Sequence, residues 1–308
     1  MSLAYDEELG VAPEGWTAIP AKKVFASIIT RVSNRVFVGA RLCRDPTYRN
    51  LLDGFSDAVM TAGAIIRMAV PSIFRPLVGW LFRAAFGHHR KMVQLVAPEI
   101  AERRRRRTVD ATAPMPNDML TWLMEQPSET GTEHSCESLA MRLLNVNFVA
   151  LHSTTHAFMH AFYNLASKPE FIPVLREEVE AFLDPLEPSS WTKESIFKCA
   201  KLDSFLKETL RLHGLGAIWM PRLTLAPFKY SDGTVIAPGD FVGTAVYAIH
   251  EDDSNYANAK EFDPLRFVNS GSGEDGLLWT QKLTGTSPSY LTFGSGRHIC
   301  PGRFFASV

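Results

Sequence analysis

Apolar and polar positions alternate along this chain with two different periods. From Lys22 to about Arg106, apolar residues recur at the three-and-four spacing of helix faces, with breaks at Pro46, Pro71 and Pro76. Residues 111–117, "ATAPMPN", read as a loop. Asp118 to Glu125 reads as a short helix, and the polar run "QPSETGTEHS" as a connector. A long helix is predicted from about Cys136 to Ser167. Leu139, Leu143, Leu144, Val146, Phe148, Val149, Leu151, Phe158, Phe162 and Leu165 occupy most of its sides, which predicts burial nearly all round. Its length suggests that it crosses a domain. Lys168-Pro169 stops it, and Phe171, Val174, Leu175, Val179 and Phe182 mark one face of the next helix. Another helix runs from after Trp191 to about His213 and ends at Gly214.

The texture then changes. "MPRLTLAPFKYSDGTVIAPGDFVGTAV" carries β-branched runs punctuated by Asp232-Gly233 and Pro238-Gly239, which predicts strands and a hairpin. Beyond it the chain is rich in loops. The expectation is a mainly α fold with a small β-sheet: a helical part over about 1–213 and a strand- and loop-rich part over about 214–308, without internal repeats.

Composition narrows the picture. The chain has 308 residues, 46% of them hydrophobic, enough for a large core. A formal net charge of -1 gives no general attraction for nucleic acid. The one dense basic run, Arg103 to Arg107, reads as a solvated helix end or loop. Ser56 to Gly87 is apolar but broken by Arg67, Arg75, Arg83, Pro71 and Pro76, too interrupted to span a bilayer. It reads first as a buried helix pair and second as a membrane-surface segment. "MSLAYDEELG" lacks the basic-then-apolar order of a signal peptide. Four dispersed cysteines without a CxxC argue against a disulfide framework or zinc knuckle and point to a reducing compartment. Cys43, Cys136 and Cys199 read as ordinary semi-buried thiols.

Cys300 is different. In "FGSGRHICPGRFFA", from Phe293 to Ala306, Gly294, Gly296 and Gly302 permit tight turns and close backbone approach. Backbone N–H groups around the sulfur, and a helix starting near Pro301, would favour a thiolate. Such a thiolate can ligate iron or attack an electrophile. A nucleophile wants a base and an orienting group. His298 is nearby, but in an extended loop it would point away, so the ligand reading is the stronger. On haem iron, a thiolate donates electron density and favours O–O cleavage.

Phe293, Gly296, His298, Cys300 and Gly302 fit FxxGx(R/H)xCxG, and here the chain resembles the cytochromes P450, in their fungal type. Glu208 and Arg211 in "FLKETLRLHG" look like that family's ExxR pair, on one helical face. Arg266 in "FDPLRF" resembles the arginine that completes a Glu-Arg-Arg cluster, whose implied role is structural. Ala150 to Thr154 resembles (A/G)Gx(D/E)T, with Leu151 for the glycine and Ser153 for the acid. The resemblance makes Thr154 the hydroxyl that hydrogen-bonds dioxygen and helps deliver protons, with Ser153 beside it. His298 and Arg222 match positions that hold haem propionates. "GLGAIWMP", Gly214 to Pro221, would line the substrate pocket.

The resemblance implies a cytochrome P450 fold, haem (iron protoporphyrin IX) with Cys300 as axial ligand, dioxygen, and electrons from NADPH through NADPH-cytochrome P450 reductase. It implies a lipophilic small-molecule substrate, secondary metabolism or detoxification, and an endoplasmic reticulum membrane location for the full-length protein. The match starts around the family's fourth or fifth helix and stops at Val308, so one partial domain, cut at both ends, is expected. Two further readings stay open. Ser153 in the acid's place motivates a non-oxygenating isomerase or dehydratase, and the missing termini motivate a non-catalytic fragment. A rival zinc site on His152, His156 and His160 shares one helix stripe, nearly opposite Thr154, with no HExxH, so packing is the stronger reading.

Overall fold

The computed structural model describes residues 2–10, 17–127, 134–268 and 281–307. Much of the connector at 126–135, and part of the loop-rich stretch before the cysteine motif, lie outside the described residues. The chain divides into two compact units, Met1–Thr155 and His156–Val308. The division falls inside one long helix, whereas the change of sequence texture falls near residue 213.

The first unit is helical: α1 (Ser2–Leu9), α2 (Ala21–Phe37), α3 (Gly39–Leu42), α4 (Pro46–Ala69), α5 (Arg75–Phe86), α6 (His88–Val109), α7 (Met119–Glu125) and most of α8 (Cys136–Ser167). Pro46 begins α4 rather than breaking a helix, because its missing N–H costs nothing at the first position and Asp45 caps Thr47 and Tyr48. Asp118 likewise caps α7 by accepting from the Thr121 N–H. Leu52, Met92, Val96, Ile100, Leu120, Leu139, Leu143 and Leu144 form the core. A polar thread runs through it. The Asn34 amide donates to Asn147 Oδ1 at 2.7 Å, and the Tyr48 hydroxyl donates to Asn34 Oδ1 at 3.0 Å.

Three expectations fail here. The α4–α5 pair is not buried: Met60, Met68, Ile73, Leu77 and Trp80 are all more than half exposed. Apolar composition required a covering element, and none of the described residues supplies it. The same holds for α8, whose buried stripe runs through Leu139, Leu143, Asn147 and Leu151 while Val149 is 66% exposed. Finally, the basic run is not wholly solvated. Arg103 is buried and makes two bonds to Asp118, at 2.5 and 2.7 Å, and one to Glu99. The other four arginines also bond within this unit: Arg104 to the His134 carbonyl, Arg105 and Arg106 to Glu102, and Arg107 to Glu125.

The second unit holds the end of α8, then α9 (Phe171–Phe182), α10 (Lys193–Phe197) and α11 (Ala200–Leu212). The single helix expected after Trp191 is two, parted where Cys199 leaves helical geometry at φ -74°, ψ 71°. Ala161, Leu175 and Phe205 are the buried centre of this unit's cluster. Strand β1 (Ile218–Leu223) pairs antiparallel with β4 (Phe241–Ala245), and β2 (Phe228–Lys229) with β3 (Val235–Ile236) around the Asp232-Gly233 turn. Two short helices, α12 (Val246–His250) and α13 (Arg303–Ala306), complete it. The fold is mainly α with small antiparallel sheets, as the sequence pattern predicts. Among the described residues, no helix is long and apolar enough to cross a membrane.

Candidate functional site

The cysteine loop is built by two left-handed glycines. Gly294 (φ 76°) and Gly296 (φ 67°) adopt geometry that strains any L side chain. They let the chain fold back on itself. The Cys300 N–H donates to the Phe293 carbonyl at 2.8 Å, and the Gly294 N–H to the Leu291 carbonyl at 2.8 Å. Arg303 donates from Nη1 to the Cys300 carbonyl at 2.7 Å and from Nε to the Thr284 carbonyl at 3.2 Å. Both sides of Cys300 are therefore tied down through its backbone.

The sulfur is free and half-buried. A Cβ at Gly302 would lie 3.9 Å from Sγ, so glycine there keeps that flank of the sulfur bare. A soft donor on a fixed backbone, with its side left uncovered, fits a ligand that would hold haem iron. The other three cysteines contrast with it: burial pushes the thiols of Cys43, Cys136 and Cys199 upward, toward the protonated form.

Two details of the loop differ from expectation. Residues Gly296–His298 form a 3₁₀ turn rather than an extended loop, because Gly296 can take positive φ. His298 is exposed, and its Nε2 accepts from Arg297 Nε at 3.3 Å. The helix after the cysteine starts at Arg303, not Pro301; Gly302 is its N-cap.

The same unit holds a buried ion cluster. Glu208 and Arg211 are fully buried and paired through two bonds of 2.7 Å. Glu208 Oε1 also accepts from Arg266 Nε at 2.9 Å and from the Asp263 N–H at 3.1 Å. Arg211 donates to the carbonyls of His250, Ala259 and Glu261, and Arg266 to those of Ala257 and Glu261. The two guanidiniums thereby fix the stretch 257–266 by its backbone.

Two residues here, His250 and Lys207, have no role in the sequence-based reading, and a third, Met220, has one only as part of the segment 214–221. His250 is buried, and its ring is stacked on Tyr290 at 5.6 Å. Lys207 is buried with Nζ over the Tyr290 ring at 4.2 Å, donating to the Lys282 carbonyl at 2.9 Å; burial brings its pKa down to about 8. Met220 sits at φ 53° inside the β1 bulge, with side-chain atoms 3.8 and 3.9 Å from the Cβ position of Gly294. A signal existed for Lys207. Ser204, Lys207, Glu208 and Arg211 follow the i, i+3, i+4, i+7 spacing of a buried helix face, and all four are buried.

Arg222 lies near the end of β1, is exposed, and donates from Nη1 to the Pro221 carbonyl at 2.9 Å. In the segment 214–221, Leu215 and Ile218 are exposed and Met220 is half-buried. In the first unit, Thr154 is half-buried, and the Ser153 hydroxyl donates back to the Val149 carbonyl at 2.9 Å. That bond occupies Ser153's only proton and leaves its oxygen as an acceptor. His152 packs edge-on against Phe148. In the second unit, His156 and His160 pack ring to ring at 4.3 Å, and His160 stacks on His213 at 4.5 Å. Among the described residues, no three histidine, cysteine or carboxylate side chains are arranged as metal ligands.

Fold, cysteine loop and buried Glu-Arg-Arg cluster together fit the class of haem-thiolate proteins. The family model for cytochrome P450 matches residues 14–308, and the chain belongs to the cytochrome P450 family. It is 37% identical over 306 residues to cytochrome P450 monooxygenase 151 of Postia placenta, covering 99% of this chain and 61% of that protein. It is 33% identical to cytochrome P450 monooxygenase paxQ of Penicillium paxilli, covering 99% of this chain and 58% of that protein. Its fold matches retinoic acid-bound cyanobacterial CYP120A1 with a TM-score of 0.68 at 21% identity, over 99% of this chain and 61% of that one. The chain thus spans about three fifths of the length of these relatives.

Proposed function

We propose that this chain carries the thiolate side and the oxygen-handling helix of a monooxygenase that oxidises a lipophilic small molecule with dioxygen and electrons from NADPH, delivered by a cytochrome P450 reductase. The observation that carries this reading is the cysteine loop, in which Cys300 is anchored through its backbone while its sulfur keeps a bare flank. Residues 1–308 are taken as part of one cytochrome P450 domain.

Haem held by Cys300 would supply the oxygen-activating chemistry. Cys300 would hold the iron. Phe293, Gly296 and Gly302 shape the loop that carries Cys300. His298 and Arg222 would hold propionates; both are exposed, and among the described residues Arg222 bonds to the Pro221 carbonyl and His298 to Arg297. Thr154 holds a proton at its hydroxyl for the oxygen-handling side. Ser153, its proton committed to Val149, supports Thr154 as an acceptor rather than replacing an acid. Glu208, Arg211 and Arg266 hold the backbone that supports the loop. The segment 214–221 favours a hydrophobic substrate.

The exposed α4–α5 face supports contact with a membrane surface, in keeping with an endoplasmic reticulum location. Trp80, Met68 and Ile73 lie there with Arg67, Arg75 and Arg83 and no acidic residue between them. The resemblance to fungal family members favours secondary metabolism or detoxification for the whole protein.

The test is oxygen-isotope labelling. With reductase, NADPH and ¹⁸O₂, a panel of lipophilic probes should yield products carrying one labelled atom. Conversion without the label and without NADPH would instead indicate an isomerase or dehydratase.

A further inference from the structure

We infer that His250 is a positioning residue that anchors the root of the cysteine loop only while its ring is neutral, which makes Cys300 ligation acid-sensitive. The inference rests on Cys300 as the haem ligand.

The ring makes two bonds of opposite sense. Nδ1 lies 2.9 Å from the Arg211 carbonyl, which can only accept, so Nδ1 carries the proton. The Leu291 N–H, which can only donate, points at Nε2 at 3.0 Å. One tautomer of the neutral ring satisfies both, and the imidazolium cannot, since it would set N–H against N–H. The clasp to α11 is mutual: Arg211 Nη1 donates to the His250 carbonyl while the His250 ring donates to the Arg211 carbonyl.

The connection to the sulfur is short and continuous. Leu291 is held by His250; the Leu291 carbonyl accepts from the Gly294 N–H; and the Phe293 carbonyl accepts from the Cys300 N–H. The groups facing the ring are Arg211 and Glu208 on α11 and the neutral Tyr290 stacked on it. Burial is the largest influence and disfavours the charged ring; the bond to the Arg211 carbonyl opposes it, the Arg211 charge adds to it, and Glu208 opposes it. Below the ordinary histidine range, around pH 6.5, protonation therefore withdraws the acceptor from Leu291, and the loop loosens.

The two amide substitutions separate the two bonds. Glutamine reaches the Nε2 position and can accept from Leu291 without titrating. Asparagine reaches only the Nδ1 position and leaves Leu291 unpartnered. The measurement is the carbon monoxide difference spectrum of the reduced, haem-loaded chain between pH 8 and pH 5. In the wild type the thiolate-type band should give way to the neutral-thiol type as pH falls. His250→Gln should retain the thiolate-type band at least several-fold better at the low-pH end, and His250→Asn should lose it already near neutral pH. Hydrogen exchange at the Leu291 amide in the haem-free chain reads the same step without haem: faster in acid for wild type, pH-insensitive beyond intrinsic exchange for His250→Gln. Identical acid profiles in wild type and His250→Gln, by either readout, overturn the inference. Absence of a Cys300-dependent band, with the amide exchange as predicted, would instead overturn the ligand assignment and leave the role of His250 in the loop standing.

Discussion

Glu208 and Arg266, 58 positions apart, meet at 2.9 Å with the carboxylate fully buried. This pair joins α11 to the stretch that leads into the cysteine loop. Buried pairs of this kind are poor evidence of net stabilisation, because taking both charges out of water offsets their attraction. Removing one partner is another matter, since it strands a buried charge. Glu208→Gln should cost about 3–5 kcal/mol, read as a shift of the urea midpoint. A change under about 1 kcal/mol, the scale of an exposed pair, would mean that water reaches the cluster.

The glycines of the loop should separate by backbone. Gly294→Ala places a side chain at φ 76° and should destabilise by about 1–2 kcal/mol. Gly302→Ala, at φ -82°, should leave stability nearly unchanged. Its methyl would stand against Cys300 Sγ, however, and should slow alkylation of that thiol by iodoacetamide. Equal stability losses at both positions would contradict the assignment.

Lys207 predicts a slope at alkaline pH. Its folded pKa of about 8 lies below the ordinary lysine value of 10.5, so between these the unfolded chain binds the extra proton. Stability therefore rises with pH across the window from about 8 to 10, by at most about 1.4 kcal/mol per pH unit, and the contribution is lost as pH falls through 8. Lys207→Met should flatten this rise and cost little at pH 7, because the buried charge disappears with the Lys282 bond. An unchanged alkaline slope in Lys207→Met would place the titration elsewhere.

The α4–α5 face should bind anionic vesicles. Adding phosphatidylserine vesicles should shift tryptophan emission to the blue, and Trp80→Phe should remove most of the shift. Met68→Asp with Ile73→Asp should abolish sedimentation with the vesicles at physiological salt. Binding that survives the double substitution would exclude this face.

Much of the fold was legible because its signals are local. The long helix from Cys136 to Ser167 and the turn at Asp232-Gly233 follow from periodicity and turn chemistry alone. Cys300, Glu208, Arg211 and Arg266 were legible because their spacing is distinctive, and the last three meet in one buried cluster. What escaped depends on distant partners. His250 gains its role only when Arg211 and Leu291 come together around it, and nothing in "AIHEDD" announces that. The exposure of Met68 and Trp80 escaped because composition reports that a helix is apolar, not that a neighbour covers it. The positive φ of Met220, within the segment read as pocket lining, escaped because it is imposed by the bulge between Trp219 and Arg222.

The central claim is that Cys300 ligates haem iron through a thiolate. Its most direct test is the carbon monoxide difference spectrum of the reduced chain expressed with haem supplied, at pH 7.5, beside Cys300→Ser. A Soret band at the red-shifted position of thiolate-ligated haem, present in the wild type and absent in Cys300→Ser, is the predicted result. A haem band that is unchanged by Cys300→Ser would contradict it.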